Sequence, residues 1–179
     1  MKSAEDIVRY YRGEVRDGSG RSLAEVQEWP DDSLERVHDF IQWMFPLEER
    51  SAFNPDAPVL NSAAIEQFRS SPNLRAKLHV SFERMLAFYG FEILDGPRMR
   101  IVPSATFPRR SSEWVTPGNH NYLRITRILK SLSTLGLEEE ASRFFECLSE
   151  IYDSQDRRRR PIPLETLQYW KAAIAKNIE

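Results

Sequence analysis

The stretch "NHNYLRITRILKSL" spans Asn119–Leu132 and is the starting point for interpreting this chain. Its apolar residues recur at helical spacing and continue beyond it, as Ile125, Ile128, Leu129, Leu132 and Leu135. This spacing predicts a helix over 119–135 with one face in a core. The opposite face carries Arg124, Arg127 and Lys130, and is either a binding site or the solvated side of a core helix.

Helical patterns also cover most of the remaining chain. The pairs Ser3–Asp6 and Ser22–Glu25 are typical of capping boxes at helix starts. The clearest helix is predicted over 71–90, with Ser71 as its N-cap, Pro72 in its first turn and Gly90 at its end. Further helices are predicted over 31–45, near 62–68, over 141–152, and from Pro163 onward with Leu167, Trp170 and Ile174 buried.

Two segments break the helical period. Short extended runs around Asp95-Gly96-Pro97 predict a small β-hairpin near 91–102. Residues 103–118 contain three prolines and are predicted to be a long irregular segment, a kind of segment that is often functional. The expected fold is therefore all-α, a single compact domain of about seven helices with at most one small hairpin.

Composition places the chain among ordinary globular proteins. Its 179 residues are 41% apolar, which is enough for one domain with a real core. A single cysteine, Cys147, rules out an internal disulfide and suits a reducing compartment. No apolar run approaches the roughly 18 residues of a membrane span, so we expect a cytoplasmic protein without one.

Charge is distributed unevenly along the chain. Residues 1–66 carry 14 acidic and 7 basic side chains, whereas residues 98–130 carry 7 basic side chains and one acid. Two interpretations stay open: the basic region binds an anionic partner, or the acidic segment packs beside it. Nucleic-acid or other anionic-ligand binding through 98–130 is thus an alternative function, although a pI near 6.0 argues against it.

The start of the 119–135 helix is the main candidate for a binding site. Asn119 and His120 lie where free backbone N–H groups and the helix dipole favour an anion, and Arg124 follows one turn later. Simple N-capping by an asparagine is the structural alternative. Trp114 is expected to be an exposed aromatic anchor in the irregular segment. The predicted ligand-binding residues are Asn119, His120, Arg124, Arg127, Trp114 and Arg110.

No pattern in the sequence specifies a reaction. The three histidines, at positions 38, 79 and 120, lack the paired spacing of a zinc site, and His38 is expected to be buried on an apolar helix face. Phosphate-binding loops, nucleophile elbows and paired catalytic acids are absent from the pattern. We therefore assign no catalytic residue, metal or cofactor, and an unassigned enzyme remains the less favoured alternative.

Three blocks of sequence carry a resemblance to a known family. They are "FIQWMFPLEE" at 40–49, "RMLAFYGFEI" at 84–93 and "HNYLRITRILKSLSTLGLE" at 120–138. Together they resemble the globular N-terminal domain of the opioid growth factor receptor family. Weaker agreement extends the likeness over about residues 10–170.

The resemblance implies binding rather than catalysis. Animal members look like receptors for an endogenous opioid pentapeptide, occur in and around the nucleus, and restrain cell proliferation. We therefore expect a peptide- or protein-binding module over 1–179, without the C-terminal repeats of animal members and with no established activity as an enzyme. In a eukaryote the location would be nuclear or perinuclear, with the arginine run 157–160 as a linker or an import signal. The oligomeric state is left open.

Overall fold

The computed structural model describes residues 3–156 and 160–175, and helices dominate this part of the chain. Ten helices and one two-stranded antiparallel sheet occur in it. The helices are α1 (Ala4–Arg12), α2 (Leu23–Gln27), α3 (Asp31–Arg36), α4 (Ile41–Met44), α5 (Ser62–Ser70), α6 (Pro72–Tyr89), α7 (Phe107–Trp114), α8 (Asn121–Leu135), α9 (Glu138–Ser154) and α10 (Leu164–Ile174). Strands β1 (Phe91–Leu94) and β2 (Arg100–Pro103) form the hairpin, so the all-α prediction with one small hairpin is confirmed.

The chain divides into two compact units. The first contains the described residues up to Arg84 together with Thr134–Gly136, and the second contains Met85–Ser133 and the described residues from Leu137 onward. Each unit buries aromatic side chains of its own, including Trp43 in the first and Trp114 in the second. The single domain predicted over residues 1–179 stays a prediction.

Helix α1 brings two tyrosines into the core of the first unit. Its start is fixed by the predicted capping box, in which the Ser3 N–H donates to Asp6 Oδ2 at 2.8 Å and the Asp6 N–H donates to Ser3 Oγ at 3.4 Å. Tyr10 and Tyr11 are fully buried, and the Tyr10 ring lies edge-on to Trp43 with 5.3 Å between ring centres. Such edge-to-face pairs add about 1 kcal/mol beyond the burial of their area.

The chain leaves the helical conformation between α3 and α4, so the continuous helix predicted over 31–45 is wrong. Val37 has extended dihedral angles, with φ −93° and ψ 131°. The break allows Phe40 and Trp43 to turn inward, and their exposed fractions are 0% and 2%. His38 lies in the break and is exposed, so the prediction that it is buried is also wrong. Helical spacing does not predict whether a side chain is buried where the helix has already ended.

Helix α6 begins and ends as predicted. Ser71 Oγ accepts a hydrogen bond from the Leu74 N–H at 3.3 Å, and Pro72 occupies the first helical position. The predicted stripe is buried and consists of Leu74, Leu78, Phe82, Met85, Leu86 and Tyr89. Gly90 follows with a left-handed φ of 89°, which favours glycine and ends the helix.

Helix α7 lies inside the segment 103–118 that we predicted to be irregular, and that prediction is wrong. Pro108 is the second residue of this helix. The first N–H groups of a helix have no partner within the helix, so a proline there removes no hydrogen bond. Pro108 therefore marks a helix start rather than a loop, while Pro103 ends β2 and Pro117 follows α7. The break after α3 and this helix raise the number of helices above the predicted seven.

Gly90 allows α7 to approach the end of α6. A Cβ atom at Gly90 would lie 2.7 Å from Phe107 Cα and 3.0 Å from Arg110 Cβ. Real Cβ atoms essentially never come within 3.0 Å of such neighbours. The absence of a side chain at Gly90 is thus required twice, by the backbone conformation and by the packing of α7.

Helices α8 and α10 contact each other in the core of the second unit. All of the predicted apolar stripe of α8 is buried, namely Ile125, Ile128, Leu129, Leu132 and Leu135. In α10, Trp170 is fully buried and its Nε1–H donates to the Tyr122 carbonyl at 3.1 Å. Leu167 and Ile174 are only half-buried, which is less than predicted.

Most of the basic run 157–160 falls on residues 157–159, which lie outside the described residues. Arg160 is described, and its guanidinium carbon lies 4.2 Å from the centre of the Tyr152 ring. This distance suits a cation–π interaction.

Gly90→Ala should destabilise the protein because the new Cβ meets the Phe107 backbone and because alanine is strained at a φ of 89°. We expect the free energy of unfolding in urea to fall by about 3 kcal/mol. Gly118→Ala is the matched control: its φ is 69°, but a Cβ there has no atom within 4 Å. Its cost should be about 1 kcal/mol, and equal losses for the two variants would contradict the close approach of α7.

Candidate functional site

Asn119 joins the end of α7 to the start of α8. Its side-chain Oδ1 accepts from the Asn121 N–H at 2.9 Å, and its Nδ2 donates to the Glu113 carbonyl at 3.0 Å and to Thr116 Oγ1 at 2.9 Å. The bond from the Asn121 N–H satisfies a backbone donor at the start of α8, as an asparagine cap does. The capping interpretation accounts for Asn119, which is half-buried.

Arg110 is buried and holds α7 against the end of α6. Its exposed fraction is 3%, its Nε–H donates to the Phe88 carbonyl at 2.5 Å, and its Nη1–H donates to Glu113 Oε2 at 2.5 Å. The guanidinium also lies over the Phe88 ring, 4.7 Å from its centre. The last carbonyls of a helix lack helical partners, so a side chain that supplies a donor there stabilises the helix end.

Trp114 is not the exposed anchor that we predicted. It is 1% exposed, and its Nε1–H donates to the Tyr89 carbonyl at 3.0 Å. Its ring packs edge-on to Tyr89 with 5.5 Å between centres. Helix α7 turns this residue inward. The indole ring therefore packs in the core, and its N–H bonds a carbonyl at the end of α6.

Arg124 is also buried, at 5% exposure, although its position on the helix predicts a solvent-facing side chain. Its Nη1–H donates to Asn121 Oδ1 at 3.4 Å, and the Tyr89 hydroxyl donates to the same oxygen at 3.5 Å. Asn121 itself is 1% exposed. A buried guanidinium is stable only where polar groups surround it, so this cluster ties α8 to α6 rather than to solvent.

The accessible part of the predicted site is a stripe that begins at His120, just before α8, and continues along α8. His120 and Leu123 are exposed, Leu123 to 60%, while Arg127 and Lys130 are half-buried. Spacings of three and four residues place these positions on one face of a helix. We call these four residues the α8 surface. Of the six predicted ligand-binding residues, it retains His120 and Arg127, and Asn119 lies one residue before it.

Leu123 was missed because it lies off the core stripe. It precedes Ile125 by two positions, and two helical steps of 100° place it about 200° away, on the side opposite the core. This helical angle could have identified Leu123 as an exposed residue from the sequence alone. Leu123 is thus an exposed leucine in the middle of a polar helix face, beside cationic residues.

The basic region 98–130 is partly internal. Arg110 and Arg124 are buried, and Arg109 Nη1 lies 3.9 Å from Glu113 Oε1. Two of its seven positive charges are therefore removed from the surface. The charge excess of this region overstates the cationic surface that a polyanion would meet.

Within residues 3–156 and 160–175, no group of three or more His, Cys, Asp and Glu side chains is placed to hold a metal ion. None of the helices described there combines the length and apolar character needed to cross a bilayer. Cys147 is 2% exposed, and burial, with the charge of Glu150 as a smaller cause, raises the pKa of its thiol to about 12. The thiol is therefore protonated and inaccessible at neutral pH.

Cys147 should not react with Ellman's reagent in the native protein at about pH 8, and should react once urea unfolds it. The thiol keeps its proton in the folded state to about pH 12, whereas in the unfolded chain it loses it near pH 8.5. The free energy of unfolding should hence fall as the pH rises between these values. Cys147→Ala should remove that contribution, and fast labelling of the native protein would contradict its burial.

Comparison with known proteins points to one family. A sequence profile described as "Opioid growth factor receptor (OGFr) conserved region" matches residues 5–178. The opioid growth factor receptor of Rattus norvegicus is 40% identical over 133 residues, which cover 72% of this chain and 23% of that protein. The receptor of Homo sapiens is 38% identical over 174 residues, covering 92% and 24%.

A second kind of relative is similar over much of the same region. The opioid growth factor receptor-like protein 1 of Xenopus tropicalis is 35% identical over 144 residues, covering 77% of this chain and 28% of that protein. The chain thus spans about a quarter of the length of the relatives it matches. No solved structure matches the chain.

Proposed function

The chain belongs to the opioid growth factor receptor family, and from this premise we propose that it is a domain that binds a peptide or protein segment through the α8 surface. The observation that carries the proposal is Leu123, an aliphatic side chain that is 60% exposed on a helix face shared with His120 and Arg127. In the proposed interface Leu123 supplies the apolar contact, and His120 and Arg127 supply the polar rim. The proposal involves no chemical step.

The support beneath this surface favours binding without rearrangement. Asn119, Arg110 and Trp114 bond backbone groups at the ends of α6 and α7, and Arg124 and Asn121 occupy the buried side of the α8 start. Residues held in this way lose little conformational entropy when a ligand binds. The buried residues of the predicted site therefore have a positioning role, and the exposed ones make the contact.

Electrostatics favours a ligand with a carboxylate beside an apolar side chain. The N-terminal end of α8 carries the positive end of the helix dipole, and Arg127 and Lys130 add positive charge along the same face. Leu123 offers an apolar contact between them. The C-terminal residue of a short peptide, with its free carboxylate, has both features. The relatives are named as opioid growth factor receptors, so an opioid peptide is the first ligand to test.

Peptide binding should be saturable and should depend on the α8 surface. Labelled short peptides, Met-enkephalin included, are titrated with the protein by fluorescence anisotropy, each with a free and an amidated C-terminus. Leu123→Ala should weaken binding about tenfold by loss of apolar contact, and Arg127→Ala about fivefold. Amidation should weaken binding in the same direction. Arg124 is unsuitable for this test because it is buried.

Leu164→Ala is the matched control, because Leu164 is 58% exposed on α10, close to the 60% of Leu123. It should leave the affinity unchanged, and circular dichroism should show that all three variants are folded. Saturable binding that neither α8 variant weakens would reject this site. Failure of every peptide in the panel to bind would reject the function.

We also propose a cytoplasmic location, or a nuclear or perinuclear one in a eukaryotic cell. A single cysteine suits a reducing compartment, and the family resemblance agrees with this location. Fractionation of cells that express the tagged chain should place it in the cytoplasmic or nuclear fraction. Recovery from the culture medium would contradict the proposal.

A further inference from the structure

The β1–β2 hairpin of the second unit has backbone groups that its own ladder does not pair. Its register sets Ile93 opposite Ile101, and the Ser104 N–H donates to the Gly90 carbonyl at 2.9 Å. The hydrogen-bonded positions of an antiparallel ladder alternate, so they fall at Gly90 and at every second residue after it. Ile93 lies three residues after Gly90. The N–H and C=O groups of Ile93 and Ile101 therefore point away from the hairpin, along its two outer edges.

The two outer edges differ in accessibility. On the β2 edge, Pro103 has no N–H, Ile101 is 5% exposed, and α9 packs against the strand. On the β1 edge, Phe91 is 2% exposed but Ile93 is only half-buried. Neither the N–H nor the C=O of Ile93 has a hydrogen-bond partner within the described residues. The accessible edge is therefore the half of β1 that approaches the turn.

An unpaired strand edge of this kind accepts the backbone of another extended segment. Natural sheets usually protect such an edge with a proline, a bulge or a covering element. Residues 91–94 contain no proline, and their register with β2 runs without a bulge. A residue of an added antiparallel strand opposite Ile93 would exchange two hydrogen bonds with it, one through each backbone group.

The outer face of β1 indicates which side chains the added strand should carry. Glu92 and Leu94 are two residues apart and lie on the face opposite Phe91 and Ile93. Glu92 is exposed and has no ion pair within the described residues, and Leu94 is 44% exposed. Side chains of neighbouring strands interact in pairs across one face. A basic residue beside Glu92 and an apolar residue beside Leu94 therefore complement this edge.

A second copy of this chain suits the edge less well than a peptide does. Strand β1 has four residues, which extend over about 13 Å. A stable protein–protein interface buries roughly 800 Å² on each partner, far more than so short an edge supplies. A two-fold pairing of Ile93 with its counterpart would also set the Glu92 carboxylate opposite an apolar Leu94.

We propose that the β1 edge at Ile93 binds an extended peptide segment by strand addition, with a basic residue beside Glu92 and an apolar residue beside Leu94. The main-chain bonds of Ile93 supply the attachment, and the two outer side chains select the register. This site goes beyond the proposed binding through the α8 surface. It uses none of the residues of that surface, so the two proposals fail separately.

The test titrates the ¹⁵N-labelled full chain with the capped pentapeptide acetyl-Thr-Val-Thr-Lys-Thr-amide and follows the backbone N–H signals. The Ile93 signal should shift saturably downfield and its exchange with solvent should slow, because its N–H gains an acceptor. A peptide methylated at its central backbone nitrogen cannot donate to the Ile93 carbonyl and should bind about tenfold more weakly. An equal response to the methylated peptide, or no shift of Ile93, would overturn the proposal. A shift of Ile93 with protein concentration alone would assign the edge to a second copy and overturn it too.

Glu92→Gln should weaken the binding of this peptide about threefold, because it removes the charge that the lysine meets without removing a bond of the fold. Asp153→Asn is the matched control: it removes the same charge from an exposed position on α9 and should leave the affinity unchanged. Equal effects of the two substitutions would reduce the binding to general electrostatics and overturn the inference. Leu123→Ala should leave this titration unchanged, so the outcome is independent of the α8 surface.

Discussion

The last carbonyl groups of helix α6 are the constraint on which the second unit depends. The helix ends at Gly90, and the carbonyls of Phe88 and Tyr89 receive hydrogen bonds from Arg110 and Trp114 of α7. Two side chains four residues apart on one helix thus close the end of another. This closure requires α7 to lie against Gly90, where there is no room for a Cβ atom. The β1–β2 hairpin connects the end of α6 to the start of α7.

The same closure explains why so many polar residues of this region are internal. Arg110 donates to a carbonyl at the end of α6, and Arg124 donates to Asn121 Oδ1, which also accepts from the Tyr89 hydroxyl. Both guanidinium groups are buried and donate to polar groups inside the fold. What remains accessible on α8 is a narrow stripe around Leu123, which is 60% exposed.

Local sequence signals predicted helix starts and stops correctly where residues of the helix's own first or last turn determine them. The capping boxes at Ser3 and Ser22 and the glycine stop at Gly90 were all correctly predicted, because each depends on residues within one turn. The signals failed where a short helix depends on distant packing. Helix α7 was not predicted because Pro108 lies in its first turn, and the break at Val37 accompanies the burial of Phe40 and Trp43 in the core.

The sequence by itself determined the family, the all-helical class, the hairpin and the apolar faces of the long helices, since these follow from residue order and helical period. Only the tertiary structure decided which polar residues face inward, because a guanidinium is buried where another segment supplies its partners. Arg110 and Trp114 lie inside because the end of α6 supplies carbonyl acceptors for them, while His120 and Leu123 lie outside. The small pocket of the first unit that Ser19, Asp39, Trp43 and Asn54 line likewise forms only because segments far apart in sequence converge there.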